Sequence, residues 1–112
     1  MLAHQSIIHV ATPEAWAQAQ SAGTYVPEGF AAEGFIHCCA HEQLEGVLSE
    51  HFAGHTELLL LMVNVARLEA EVRVETAANG QAFPHIYGPI EVASVAAVVP
   101  ITATDGLWAL PD

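Results

Sequence analysis

The sequence predicts an α+β domain in which a small sheet packs against two main helices. Three observations carry this. Residues 57–65 hold an unbroken apolar run, Leu58 to Val63, with the length of a strand buried on both faces. Residues 13–23 and 40–52 space their apolar side chains at helical intervals, and short extended runs elsewhere supply partners for the sheet. The chain of 112 residues fits one domain, 1–112, which by the usual scaling buries roughly 65% of its unfolded surface.

In chain order, residues 6–10 are an apolar run (Ile7, Ile8, His9, Val10) that stops at Thr12-Pro13, an N-cap followed by the favoured first helical position. The helix that follows turns Trp16 and Ala19 inward and ends at Gly23, suited to a left-handed C-terminal cap. Residues 25–32, with Pro27 and Gly29 and no sustained period, read as a loop. Residues 33–39 resume an extended pattern in which Phe35, His37 and Cys39 share one face and Ile36 and Cys38 the other. From Ala40 to Phe52 the spacing of Leu44, Val47, Leu48 and Phe52 is helical, with Glu42 and Glu45 in the first turns and Gly54 beyond the end. Residues 57–65 form the central strand. Val72–Thr76 alternates as a half-buried strand, and 77–81 with Asn79-Gly80 is a turn. Residues 83–89, bracketed by Pro84 and Pro89, are irregular or briefly extended; 92–95 make a helical turn, and 97–101 a last strand. Trp16, Phe35, Phe52 and Trp108 are the large core anchors.

Charge excludes several partners. Thirteen carboxylates face only Arg67 and Arg73, giving a formal net charge of −11. Nucleic acid is therefore not expected as a partner, because its affinity needs several cations on phosphates. Adsorption to an anionic membrane is excluded for the same reason, and no run is long enough to span a bilayer. A phosphate-bearing ligand must rely on backbone N–H groups, a helix N-terminus, histidines or a lone arginine. With no basic and apolar leader read at the start, the expected location is cytoplasmic. Reduced thiols fit it: Cys38 and Cys39 are adjacent, and neighbours seldom reach disulfide geometry.

The candidate chemistry gathers at two histidine-bearing segments, 33–39 and 83–89. His37 is the first choice, ending a strand just before a helix N-terminus, where an imidazole can move protons and unpaired N–H groups favour developing negative charge. A buried, carbonyl-bonded histidine is the structural alternative. His85 and Tyr87, two apart, point to one side of an extended backbone and make a pocket wall opposite, unless Tyr87 simply packs in a proline-framed turn. His9, in an apolar strand, is either a satisfied core group or a third contributor to the cleft. Glu33, Glu75, Gln43 and Cys39 complete the expected ligand-binding set. Metal is not expected: His37, Cys38, Cys39 and His41 match no standard zinc spacing. A Cys39 nucleophile paired with His37 or His85 is a further alternative, set against the frequency of small buried cysteines. His4, His51 and His55 read as surface residues.

Several of these segments carry a resemblance. Ile8-His9 with Trp16 and Gly23, Glu33-Gly34-Phe35-Ile36-His37-Cys38 with Gln43, Phe83-Pro84-His85-Ile86-Tyr87-Gly88-Pro89, and Gly106 with Leu110-Pro111 together resemble the domain-of-unknown-function family 952, small and mostly bacterial proteins. Cys39 departs from that pattern, where serine is usual, as does Pro27-Glu28-Gly29-Phe30, where Pro-Ser-Leu is more common. The resemblance implies an ADP-ribosyltransferase-like fold, shared with RNA 2′-phosphotransferases: a small split mixed sheet with a nicotinamide-nucleotide cleft between its halves. One branch of that group uses a first-strand histidine, a tyrosine and a later-strand glutamate. His9 fits the first place, and Glu75 or Glu91 the last. NAD is the cofactor this implies, and transfer at a glycosidic bond the reaction. A non-catalytic ligand-binding or interaction module is the rival reading. Neither reading supplies an oligomeric state.

Overall fold

The computed structural model describes residues 6–111, so His4 lies outside the described residues. Among the described residues, nine strands and three α-helices form the fold: β1 (Ser6–Ala11), α1 (Pro13–Ala22), β2 (Thr24–Tyr25), α2 (Phe30–Glu33), β3 (Ile36–His37), α3 (Leu44–His51), β4 (Glu57–Asn64), β5 (Glu71–Thr76), β6 (Ala82–Tyr87), β7 (Ile90–Glu91), β8 (Val95–Thr104) and β9 (Leu107–Trp108). The principal sheet has the order β1-β4-β8-β9 and a second sheet the order β3-β6-β5, with β2 and β7 forming a two-stranded ribbon. The sheet expected to be mixed is antiparallel at every pairing among the described residues. The physical reason is the route of the chain. After α1 it visits β2 and β3 outside the principal sheet, so β4 enters beside β1 from the opposite end rather than by a direct parallel crossover.

The apolar run of β4 is explained by what covers it. Leu59, Leu61 and Val63 face a core with Ile7, Ala11, Trp16, Ala19, Ile36, Ile86 and Ile90; Leu58, Leu60 and Met62 face a second core with Ile8, Val10, Leu44, Leu48 and Ile101. The sheet is thus sandwiched, with α1 and the smaller sheets on one side and α3 on the other. An unbroken run replaces alternation because both faces are dry. Each fully buried leucine contributes about 1.5–3 kcal/mol of transfer free energy.

Helix α1 has the predicted ends. The Thr12 hydroxyl accepts a hydrogen bond from Ala15 N–H (3.1 Å), Pro13 occupies the first turn, and Gly23 at φ 89° donates its N–H to the Ala19 carbonyl. Thr12→Ala is expected to cost about 1 kcal/mol, read as a lower urea midpoint at unchanged slope.

Other elements differ from expectation. The stretch read as a loop contains β2 and α2, each too short to carry a period. Glu33 ends α2 instead of opening a strand, because Gly34 takes φ 83° and closes the helix. The expected helix from Ala40 begins with a 3-10 turn, His41–Gln43, before α3. Of the two readings of 83–89, irregular or briefly extended, the extended one holds up to Tyr87: β6 contains Pro84 and is central in its sheet, while β5 is an outer strand and mostly exposed. Pro84 is tolerated there because its carbonyl accepts from Cys38 N–H (3.0 Å). Lacking an N–H it cannot return the bond, and β3 ends after two residues. The last strand is longer than 97–101, running over β8 and hairpinning into β9.

Candidate functional site

The second sheet has an apolar face and a polar one. Ile36, Val72 and Ile86 belong to the first core. The alternate residues, His37 on β3, Arg73 and Glu75 on β5, and Phe83, His85 and Tyr87 on β6, lie on the other side, since side chains alternate along a strand. His37 and His85 are register partners on neighbouring strands, and Arg73 is the partner of His85 on the far side. The two segments expected to be opposite walls are therefore adjacent. Their imidazole centroids are 5.2 Å apart.

Both histidines are backed by carboxylates. His85 Nδ1–H donates to Glu75 Oε1 at 2.7 Å, and Tyr87 O–H donates to the same oxygen at 2.6 Å. Those two hydrogen bonds, Tyr87's first, hold the Glu75 carboxyl below the usual range, and the same carboxylate raises the Tyr87 phenol. With Nδ1 committed, neutral His85 presents the Nε2 lone pair. His37 Nε2–H lies 3.1 Å from both oxygens of Glu33, leaving Nδ1. The pairs are unequal. The side chain of His85 is 13% exposed and that of His37 59%, so water screens the Glu33 pair, which is worth about 0–1 kcal/mol.

Phe35, expected in the core, lies among these groups. Its ring stacks on His85 (centroids 4.2 Å, planes 17° apart) and meets His37 at 4.8 Å and Tyr87 at 5.3 Å. Arg73 covers Tyr87, its guanidinium carbon 4.4 Å from the ring centroid, and donates to Glu71 at 3.1 Å. Gly88 follows Tyr87 at a crowded point, where a Cβ would stand 2.7 Å from Ala70 Cβ.

His9 lies beneath His37. Its Nδ1–H donates to the His37 carbonyl (2.6 Å), and its Nε2 accepts from the Tyr25 hydroxyl (2.8 Å). Burial drives the His9 pKa down to about 4, opposed by the carbonyl hydrogen bond and aided by the neighbouring His37. The ring is therefore neutral, with both nitrogens held by protein groups. Burial likewise raises the Tyr25 phenol.

A cleft of about 890 Å³ is bordered by His9, Glu33, His37, His85, Phe83 and the α3 residue Val47. Gln43, expected as a ligand contact, also borders it but has both ends engaged: Oε1 accepts from Ala40 N–H and Nε2 donates to the Ala82 carbonyl. The vacant N–H groups expected at this helix start are thus partly taken. Cys39 does not share a face with Phe35 and His37. It exchanges two backbone hydrogen bonds with Ile8 on β1, which turns its side chain into the second core while Cys38 enters the first. Burial pushes the Cys39 thiol up to about 11 and Cys38 up as well, so neither is a thiolate near neutrality. Among the described residues, no three His, Cys, Asp or Glu side chains are grouped to hold a metal ion. No helix among them is long and apolar enough to cross a membrane.

Residues 10–98 match the family described as "Protein of unknown function (DUF952)". The chain belongs to this family. Its fold is similar to that of protein CC0527 from Caulobacter crescentus: 29% identity to the crystal structure, 95% of each chain covered and a TM-score of 0.84. The solution structure of CC0527 gives 27% identity, coverage of 96% of this chain and 91% of that one, and a TM-score of 0.78. No curated protein matches. Within this DUF952 chain, the sequence does not announce Phe35, Tyr25 and Arg73 as the neighbours of His85, His9 and Tyr87. The alternation Arg73/Glu75 against His85/Tyr87 was a usable signal for Arg73, once β5 and β6 are paired. Tyr25, in a two-residue strand, offered none.

Proposed function

We propose that the cleft is a small-molecule site at which His85 and His37 serve as acid–base groups. A nicotinamide-bearing nucleotide is the first candidate ligand, and transfer at its glycosidic bond the reaction. One observation carries the reading: two carboxylate-backed imidazoles with centroids 5.2 Å apart on the wall of an 890 Å³ cleft. That volume is within the range of about 300–1,000 Å³ usual for small-molecule sites. Glycosidic cleavage builds positive charge at the sugar carbon, and Glu33 is a carboxylate on the cleft border able to stabilise it. Tyr25 against His9, ring centroids 5.0 Å apart, supports the histidine–tyrosine part of the analogy.

The test is a thermal-shift screen of NAD, nucleosides and small metabolites at millimolar concentration, followed by an assay of nicotinamide release. A ligand at a hundred times its Kd adds about 2.7 kcal/mol and raises Tm measurably. If no nucleotide shifts Tm, the nucleotide reading is wrong. Binding without release above background in wild type would favour the non-catalytic module, whose support is the internally satisfied Tyr87–Glu75–His85 network.

A further inference from the structure

We infer that the cleft receives the positively charged end of an organic ligand and leaves any phosphate or carboxylate of that ligand outside. This rests on the proposed small-molecule site and adds its charge preference. The cleft border carries Glu33, Glu42 and Glu50, and no Lys or Arg among the described residues lines it. The nearest arginine of the site, Arg73, is committed twice, to the Glu71 carboxylate and to the face of Tyr87. Arg67 sits at the end of a 3-10 turn away from the cleft border. An anion entering here would meet three carboxylates, of which Glu33 lies beside His37 and Glu50 beside His51, and no Lys or Arg counter-charge, whereas a cation would find carboxylates together with the apolar lining of Val10, Val47, Phe52 and Phe83. A concave, low-dielectric wall focuses such a field, and the chain's net charge of −11 adds to it at longer range. Aromatic and apolar surface beside carboxylates suits a flat, delocalised cation such as an N-alkylpyridinium. Applied to a dinucleotide, the pyridinium end enters and the pyrophosphate stays at the mouth.

Three pyridines of nearly equal shape separate the charge states: cationic N-methylnicotinamide, neutral nicotinamide and anionic nicotinate. Each is titrated into the full chain at low salt and near-neutral pH, with the imidazole NMR signals of His37 and His85 as the readout. N-methylnicotinamide should bind at least about tenfold more tightly than nicotinate. High salt should narrow that ratio, since the carboxylates at the cleft mouth are exposed to screening. The combined variant Glu33→Gln, Glu42→Gln, Glu50→Gln should narrow it as well. These side chains are exposed, so the circular dichroism spectrum should be unchanged. Glu42→Gln alone, which breaks no side-chain hydrogen bond among the described residues, gives a second reading if the combined variant misfolds. Nicotinate binding as well as the cation, or a ratio indifferent to the glutamine variants, overturns this inference and leaves the site standing. If none of the three pyridines moves either histidine's signals, the small-molecule site fails, and this inference with it.

Discussion

Acidification from neutral pH to pH 4 is expected to remove about 3 kcal/mol of folding stability through His9 alone. The folded-state pKa is about 4 against 6.5 for a free imidazole. Each unit of difference is worth about 1.4 kcal/mol. The sign follows from linkage: between pH 6.5 and 4 the unfolded chain binds a proton at this position and the folded chain does not. Stability is complete above 6.5 and falls as the pH drops through that window. The cause is steric and electrostatic together. His9 is 8% exposed, Nδ1–H is held by the His37 carbonyl, and Nε2 has a donor, Tyr25 O–H, where an added proton would have to go. Urea unfolding of wild type and His9→Gln at several pH values measures the effect, because loss of net negative charge on acidification is common to both. Wild type should lose stability more steeply by up to about 1.4 kcal/mol per pH unit. Parallel curves would refute the assignment. Where His9→Gln folds poorly, the His9 ring resonances of wild type serve instead and should show no protonation near pH 6.5, only as the pH approaches about 4. Glu75, whose pKa is depressed, adds its own loss only at lower pH, as its carboxylate is protonated.

The same burial explains why His9 was ambiguous in sequence. An apolar strand reports that its neighbours are buried, but not whether a polar member finds partners, and both of His9's partners come from elements the sequence conceals. Tyr25 belongs to a two-residue strand, and the His37 carbonyl to a strand cut short by Pro84. Long-period features were legible: the caps of α1, the apolar run of β4 and the alternation of β5 each repeat or terminate within one element. Features decided between elements were not. Cys39 leaves the face assigned to it because β1 offers it a backbone pair. Phe35 reads as a core anchor because hydrophobicity does not distinguish packing in a core from stacking on an imidazole, and its actual neighbour, His85, is fifty residues away along the chain. Pro84 and Pro89 leave 83–89 open in sequence between irregular and briefly extended. One side of Pro84 nevertheless pairs normally with Val74, because its missing donor faces β3 instead.

His85→Ala is expected to lower turnover of the ligand by about 10²–10⁴-fold, the range for loss of a positioned acid–base group. The two histidines carry unequal weight, in the reverse of the order expected from the sequence, where His37 comes first. Hydrogen bonds to a mostly buried imidazole hold its tautomer and orientation; those to an exposed one compete with water. His85 is the former case, fixed by Glu75 and stacked on Phe35, while His37 shares its proton with Glu33 at the surface. His37→Ala should therefore cost less than His85→Ala. Glu75→Gln separates orientation from presence: an amide can still accept from Tyr87 or His85, but it carries no charge and no longer selects the tautomer with Nε2 free. It should fall between wild type and His85→Ala in kcat with KM little changed, since the effect reaches the ligand through His85. Nicotinamide release, with Tm recorded for each variant, measures the series. Equal losses in His37→Ala and His85→Ala would place the chemistry on the exposed histidine as much as on the buried one, and would remove Glu75 from its positioning role.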